Sequence, residues 1–325
     1  MKRLLPLLFA ACALPAGAQD KFTLQLNWFH LADHAPIYMA LKKGYYKQEN
    51  IDLTVVRGSG SADSAKKVDL KQAELGISDA PTVITAISKG ADLRMVAVVF
   101  DKAGNNAFFK KSANIRSPKD LVGRKIAVPP ADSHRVLWPA FAAINKLDVN
   151  GVTLVNVKPE GKQAIVAGGD VDAAFDLYTS FAIWEKVLGK GNVGHLLWAD
   201  YGLPIYGHTY FVNRELEKKN PKLIERFLRA THQGWRDAHA NPREAIEAMA
   251  AVVPGLDSVS LFNTTPQIMD LCITERSRQH GIGWIERDLM QRTIDITFAQ
   301  NKPDRPVNVD DVFTNAYSSK IKPLK

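Results

Sequence analysis

The sequence predicts an α/β protein of two lobes, each a mostly parallel sheet flanked by helices. Short apolar runs of strand length alternate with helical periods from residue 21 onward. The alternation runs through once to about residue 105 and again over 106–205, and 325 residues suit about two domains. No tandem repeat or low-complexity tract interrupts it.

In the first series "FTLQLNW" alternates as a strand, and "HAPIYMALKKGYYKQEN" has the apolar spacing of a helix that ends between Gly44 and Asn50. "IDLTVV" reads as a strand, "SADSAKKVDLKQ" as a polar helix and "AELGISD" as a strand. "PTVITAISKG" is a helix with Pro81 in its first turn and Gly90 as its stop, before the buried strand "LRMVAVVF". The second series begins with the capped turn "SPKDLVG" and the strand "RKIAVPP". Helices "SHRVLWPAFAAINKLD", "GKQAIVAGG" and "SFAIWEKVLG" then alternate with strands "VTLVNVK", "VDAAFDL" and "GHLLWAD". "HTYFVNREL" leads into a helical tail, where Asn220-Pro221 and Asn241-Pro242 each set a cap before a first-turn proline. Crossings near 105–110 and 208–213 divide the chain into 19–105 plus 211–325 as one lobe and 106–210 as the other, with a cleft between.

The first eighteen residues are different material. Lys2 and Arg3 precede a short apolar run and the small residues Ala16-Gly17-Ala18, the pattern of a secretory signal cleaved after Ala18. A lipoprotein signal using Cys12 is the alternative, although Phe9 fits that signal poorly. No other apolar run approaches the ~18–20 residues that span a bilayer, so a soluble, exported, periplasmic chain is expected. After cleavage only Cys272 remains, which leaves no intrachain disulfide. The net charge of +8 falls to +6 without Lys2 and Arg3, and its basic pairs stand beside acidic residues. No basic stripe interleaved with aromatics is present, which argues against a nucleic-acid partner.

Ligands of open α/β sheets sit beyond the C-terminal ends of the strands, which selects the loops 27–34, 57–63, 78–81, 129–135, 176–180 and 205–210. Trp28 ends the first strand, where it is either core or a stacking face, and the second reading is preferred. "RGSGSADS" and "PPADSHR" are both turns that open helices, with Asp132 or Ser133 as the cap of the latter. Asp176 either accepts hydrogen bonds from a ring nitrogen or amine, or caps the next helix. Tyr206, His208 and Tyr210 fall at the crossing. His30 and His34 have the i, i+4 spacing of two metal ligands, which leaves an exported metal-dependent enzyme as the alternative from another class, but two ligands are too few. The plainer reading makes Asp33 a helix cap ahead of Pro36, with His34 packed at the first turn. No P-loop, G-x-S-x-G or Cys-x-x-Cys occurs, and Ser133-His134 are neighbours whose side chains diverge on a helix.

"LNWFHLADHAPIYMALKKGYYKQENIDL", "ELGISDAPTVITAISKG", "SPKDLVGRKIAVP" and "GGDVDAAF", in that order, resemble the NMT1/THI5-like substrate-binding proteins of ABC importers. The resemblance covers roughly 21–250 and implies a two-lobed, type 2 Venus-flytrap fold, a small-molecule ligand, a membrane permease as partner and a monomer. The Trp-Phe and Asp-His-Ala-Pro segment is similar to the thiamine-pyrimidine branch, which implies a planar heterocycle as ligand. It would place Asn27, Trp28 and His34 at the ring, with Ser59, Gly60, Ser61, Ser78 and Asp79 as first-lobe contacts. Ser133, His134, Asp176 and Tyr178 would come from the second lobe, and Tyr210 joins them from the crossing. The "RGSGSADS" turn looks closer to the sulfonate branch, so a sulfonate, nitrate or aromatic carboxylate is the alternative ligand. One relative of this fold is a pyrimidine synthase with a cysteine-rich, iron-associated motif. A lone Cys272 departs from that pattern, and the expectation is no enzyme, no cofactor and no resident metal.

Overall fold

The computed structural model describes residues 18–300 and 302–318. The export signal, apart from Ala18, and Cys12 lie outside them. Among the described residues ten strands form two five-stranded sheets. The first has the order β2-β1-β3-β10-β4, from β1 (Asp20–Gln25), β2 (Ile51–Val56), β3 (Leu75–Asp79), β4 (Leu93–Val98) and β10 (His208–Asn213). The second has the order β7-β6-β8-β5-β9, from β5 (Asn105–Lys110), β6 (Lys125–Ala127), β7 (Thr153–Val155), β8 (Ala173–Leu177) and β9 (Val193–Leu197).

Each sheet has one dissenting strand. β10 runs antiparallel to β3 and β4, and β5 runs antiparallel to β8 and β9, while β1 pairs in parallel with β2 and β3 and β6 with β7 and β8. The dissenting strands are the ones by which the chain arrives from the other sheet. Their sequences show why they sit centrally: "HTYFVN" and "NNAFFK" are buried along almost all of their length, with neighbours on both edges. Phe108 faces one core cluster and Phe109 another, and Tyr210 and Phe211 divide in the same way, so helices cover both faces of each sheet.

The expected helices form with their expected signals. Pro81 lies in the first turn of Ala80–Ser88, and Asn220 and Asn241 cap the helices Pro221–Ala240 and Pro242–Ala250 through the backbone N–H groups of Leu223 and Glu244. Asp33 is a correction. The helix Ala35–Lys42 has no side-chain cap, and Asp33 is buried in a short 3-10 turn, Ala32–His34, that precedes it. Among the described residues no helix is long and apolar enough to cross a membrane.

Two connections join the sheets, between β4 and β5 and between β9 and β10. They are bonded to each other: Val99 and Phe100 donate to the His208 carbonyl at 2.7 and 3.1 Å, and Gly207 donates to the Phe100 carbonyl at 2.9 Å. Gly207 allows this approach, since a Cβ there would stand 2.9 Å from the Phe100 Cβ. A paired ribbon of this kind can bend without breaking either sheet.

Candidate functional site

The parallel strands of each sheet direct their following turns toward the other sheet. Asn27 and Trp28 follow β1, Ser61 follows β2, and Asp79 ends β3. Opposite them, Asp132 and Ser133 follow β6, Lys162 follows β7, and Asp176 and Leu177 end β8. Asn27, Trp28, Ser61 and Asp79 from one side and Asp132, Ser133, Asp176 and Leu177 from the other line a cavity of about 10 Å³. That is room for about one water molecule, whereas small-molecule clefts typically hold roughly 300 Å³ or more. A stacked heterocycle therefore requires the two sides to separate about the ribbon. They touch at present through the Ala62 N–H, 3.4 Å from the Ala131 carbonyl. Gly60, at φ +152°, passes so close that a Cβ would lie 2.5 Å from that same oxygen.

On the first side the polar groups form a relay behind the cavity. The Leu31 N–H donates to His34 Nδ1 at 3.2 Å, so His34 carries its proton on Nε2 and donates to Asn27 Oδ1 at 3.3 Å. Asn27 Nδ2 in turn donates to His208 Nε2 at 2.9 Å, and His208 Nδ1 stands 3.3 Å from Asp33 Oδ2. Burial pushes His34 below the usual histidine range, against the pull of Asp33. Burial pushes His208 down as well, but Asp79 and Asp33 outweigh it and the net shift is upward. Burial raises the Asp33 carboxyl, and His34 and His208 more than reverse this. Ser61 donates to Asp79 Oδ2 at 2.7 Å, while buried Asp79 Oδ1 has no hydrogen-bond partner among the described residues.

The second side is a compact ion cluster. Asp132 caps the helix Ser133–Ile144 by accepting the His134 N–H at 3.1 Å, and its Oδ1 also takes the His134 ring at Nδ1, 2.5 Å away. His134 Nε2 accepts the Asn106 N–H at 3.1 Å, which assigns its proton to Nδ1. Burial pushes the Asp132 carboxyl up, but His134 and Lys162 hold it at about 2. The Lys162 ammonium lies 2.6 Å from Asp176 Oδ1, and Trp184 Nε1 donates to Asp176 Oδ2 at 3.0 Å. Asp176 is an acceptor for internal donors and caps no helix.

Of the thirteen residues expected at the site, the cavity gathers Asn27, Trp28, Ser61, Asp79, Ser133 and Asp176. His34 and His134 stand behind Asn27 and Asp132 and position them. Ser78 is buried and donates to the Ser61 carbonyl, and Gly60 lies at the contact with Ala131. Three lie elsewhere. Ser59 is exposed and bonds Asp63; Tyr178 packs on Phe181 and His195 along the second sheet; Tyr210 belongs to the core beneath Phe227. The i, i+4 histidines also separate: His30 lies edge-on to Tyr38, whereas His34 turns inward to Asn27. Lys162 is the group with no signal in the sequence reading, whereas Asp33 and Asp132 read there as caps and His208 as a residue of the crossing. The turn after β7 obeys the same strand-end rule as the others, so Lys162 was within reach of it.

Comparison with known proteins places this geometry in a family. The profile of the family described as "NMT1/THI5 like" matches residues 31–245. The chain belongs to that family. A formylaminopyrimidine-binding protein of Halalkalibacterium halodurans is 23% identical over 319 residues, 96% of each chain. The alkanesulfonate-binding protein SsuA of Xanthomonas axonopodis pv. citri, solved with MOPS, superposes with a TM-score of 0.73 at 16% identity, over 92% of this chain and 99% of that one. The periplasmic-binding-protein fold is thus shared. One expectation is overturned. A 4-amino-5-hydroxymethyl-2-methylpyrimidine phosphate synthase of Legionella pneumophila is 24% identical over 247 residues, 74% of this chain and 76% of its own. Named synthases match at an identity similar to that of the binding protein, over a smaller share of this chain, so the expectation of no enzyme is not upheld by its relatives.

Proposed function

We propose that the protein binds a small planar heterocycle bearing ring or amino N–H donors, of the aminopyrimidine kind, between its two sheets. The observation that carries this is the lining of the cavity: one indole, Trp28, and three carboxylates, Asp79, Asp132 and Asp176. An indole face suits a flat ring, and carboxylates accept N–H donors. Asp79 Oδ1, buried with no partner among the described residues, is the acceptor most in need of one. A sulfonate or carboxylate ligand is disfavoured in this reading, because the ammonium nearest the lining, Lys162, is already paired with Asp176 and Asp132. The name of the Halalkalibacterium relative agrees with a pyrimidine.

In this reading the two sheets are the two lobes, and closure about the 99–104 and 198–207 connections traps the ring. The chain serves as a periplasmic, monomeric solute-binding component that hands its ligand to an ABC permease. Thermal unfolding of the mature protein tests it. 4-Amino-5-hydroxymethyl-2-methylpyrimidine and its formylamino analogue should raise the melting temperature by several degrees at saturation, and MOPS and taurine should not. A rise with the sulfonates alone would overturn the proposal.

A further inference from the structure

Lys162 is an unusual wall for such a site. It is 1% exposed, and lysine is almost never fully buried unless paired. Its ammonium stands 2.6 Å from Asp176 Oδ1, 3.2 Å from the Phe175 carbonyl oxygen and 3.7 Å from Asp132 Oδ2, all on its own side of the cleft. Its fourth neighbour lies across the cleft: Nζ sits 4.5 Å from the centroid of the Trp28 ring, within cation–π range. Trp28 is itself only 7% exposed, so little of its ring remains for anything else. The turn that carries Lys162 is fastened a second time, where Glu160 pairs with Arg57 at 2.8 Å and Arg57 lies 4.0 Å over the Phe29 ring. Two cations therefore cover two consecutive aromatics, and one of those aromatics is the face on which a planar ligand would stack.

We infer that Trp28, Asp132, Asp176 and the Phe175 carbonyl form an ammonium subsite, which Lys162 fills itself and which the amino or protonated ring nitrogen of a ligand fills in its place. The inference rests on the functional reading above and narrows it to ligands carrying a cationic or strongly donating nitrogen beside a flat ring. The cavity of about 10 Å³ cannot hold such a ring while Lys162 covers Trp28. Lys162 and the ligand are then alternative occupants, and the lysine competes with the ligand while drawing the two sides together.

The test begins without any heterocycle. Small-angle scattering of Lys162→Ala should give a larger radius of gyration than wild type. n-Butylammonium chloride should restore the compact value and raise the melting temperature of the variant, while sodium chloride at equal ionic strength does not. Wild type, with its subsite filled, should not respond. A variant as compact as wild type and indifferent to butylammonium overturns the inference, as does an equal response by wild type. Should Lys162→Ala fail to fold with two carboxylates uncompensated, Lys162→Gln keeps a donor for Asp176 and removes the cation. Calorimetry with 4-amino-5-hydroxymethyl-2-methylpyrimidine should then show about tenfold tighter binding to Lys162→Gln than to wild type, since a competing cation–π contact is lost. Weaker binding would make Lys162 a direct ligand contact and overturn the competition. If the pyrimidine binds neither protein, the functional reading fails, while scattering and butylammonium still decide the subsite.

Discussion

The two polar clusters that face each other across the cleft handle buried charge differently. In the second sheet, each charged group is tied to an opposite charge or to a hydrogen-bond donor: Lys162 to Asp176, with Asp132 3.7 Å away, and Asp132 to the His134 ring N–H. In the first sheet, two histidines shift in opposite directions around one amide, and Asp33 Oδ1, Asp79 Oδ1 and His208 Nδ1 lack aligned partners among the described residues. The second cluster balances its buried charges internally. The first is an adjustable one whose proton positions depend on which way Asn27 turns. Satisfied ion clusters make removal of one member expensive, whereas unsatisfied acceptors are where a ligand gains most.

The largest test of that contrast is Asp176→Ala, which strands the Lys162 ammonium and Trp184 Nε1 in the interior. Urea unfolding should show a loss of about 3–5 kcal/mol. A loss under about 1 kcal/mol would mean that the second cluster is not the interdependent set of buried charges described. Next comes Trp28→Ala, which should weaken binding of the aminopyrimidine by roughly 1–3 kcal/mol if the indole is a stacking face. Undiminished affinity in that variant would remove Trp28 from the site.

Acid titration separates the clusters further. The folded Asp132 carboxyl sits at about 2, below its unfolded value, so the stability it contributes is present above about pH 4 and lost as pH falls toward 2. The loss should amount to about 2 kcal/mol and be absent in Asp132→Asn, read by chemical unfolding at each pH. His208 acts with the opposite sign. Its folded pKa is raised, so its contribution is complete below the ordinary histidine value near 6.5 and fades as pH rises through the folded pKa. Protonation puts a donor on His208 Nε2, where Asn27 Nδ2 already donates, so the Asn27 amide must turn over. Nuclear magnetic resonance should show the Asn27 side-chain amide shifting with the His208 titration, while His30 titrates separately at about 4. An Asn27 signal indifferent to pH would dissolve the relay. The smallest effect belongs to the exposed Arg57–Glu160 pair, whose removal by Arg57→Ala should change global stability by less than about 1 kcal/mol.

Much of this was legible because it depends on local rules. The alternation of strand and helix, the proline and asparagine caps, and the placement of Asn27, Trp28, Ser61, Asp79, Ser133 and Asp176 at strand ends all follow from periodicity and the known position of α/β clefts. Ser59 and Tyr178 lie away from the cavity for a simple reason. Proximity in sequence to a strand end does not say on which side of the turn a side chain emerges, and Tyr178 emerges toward Phe181 and His195. Tyr210 lies on a strand buried on both faces, where alternation sends it into the core beside Phe227.

The sequence by itself therefore determined the layers, the order of the elements and five of the turns that meet, because hydrophobic period and capping act within a dozen residues. Only the tertiary structure decided how charge is shared among those turns. Asp33 meets His208 across 175 positions, and Lys162 of one sheet meets Trp28 of the other, through distances that no local pattern encodes. A buried charge takes its state from whatever the fold brings to it, and that is why the reading of Asp33 as a cap failed while Asp132, which is a cap, also turned out to anchor the ion cluster.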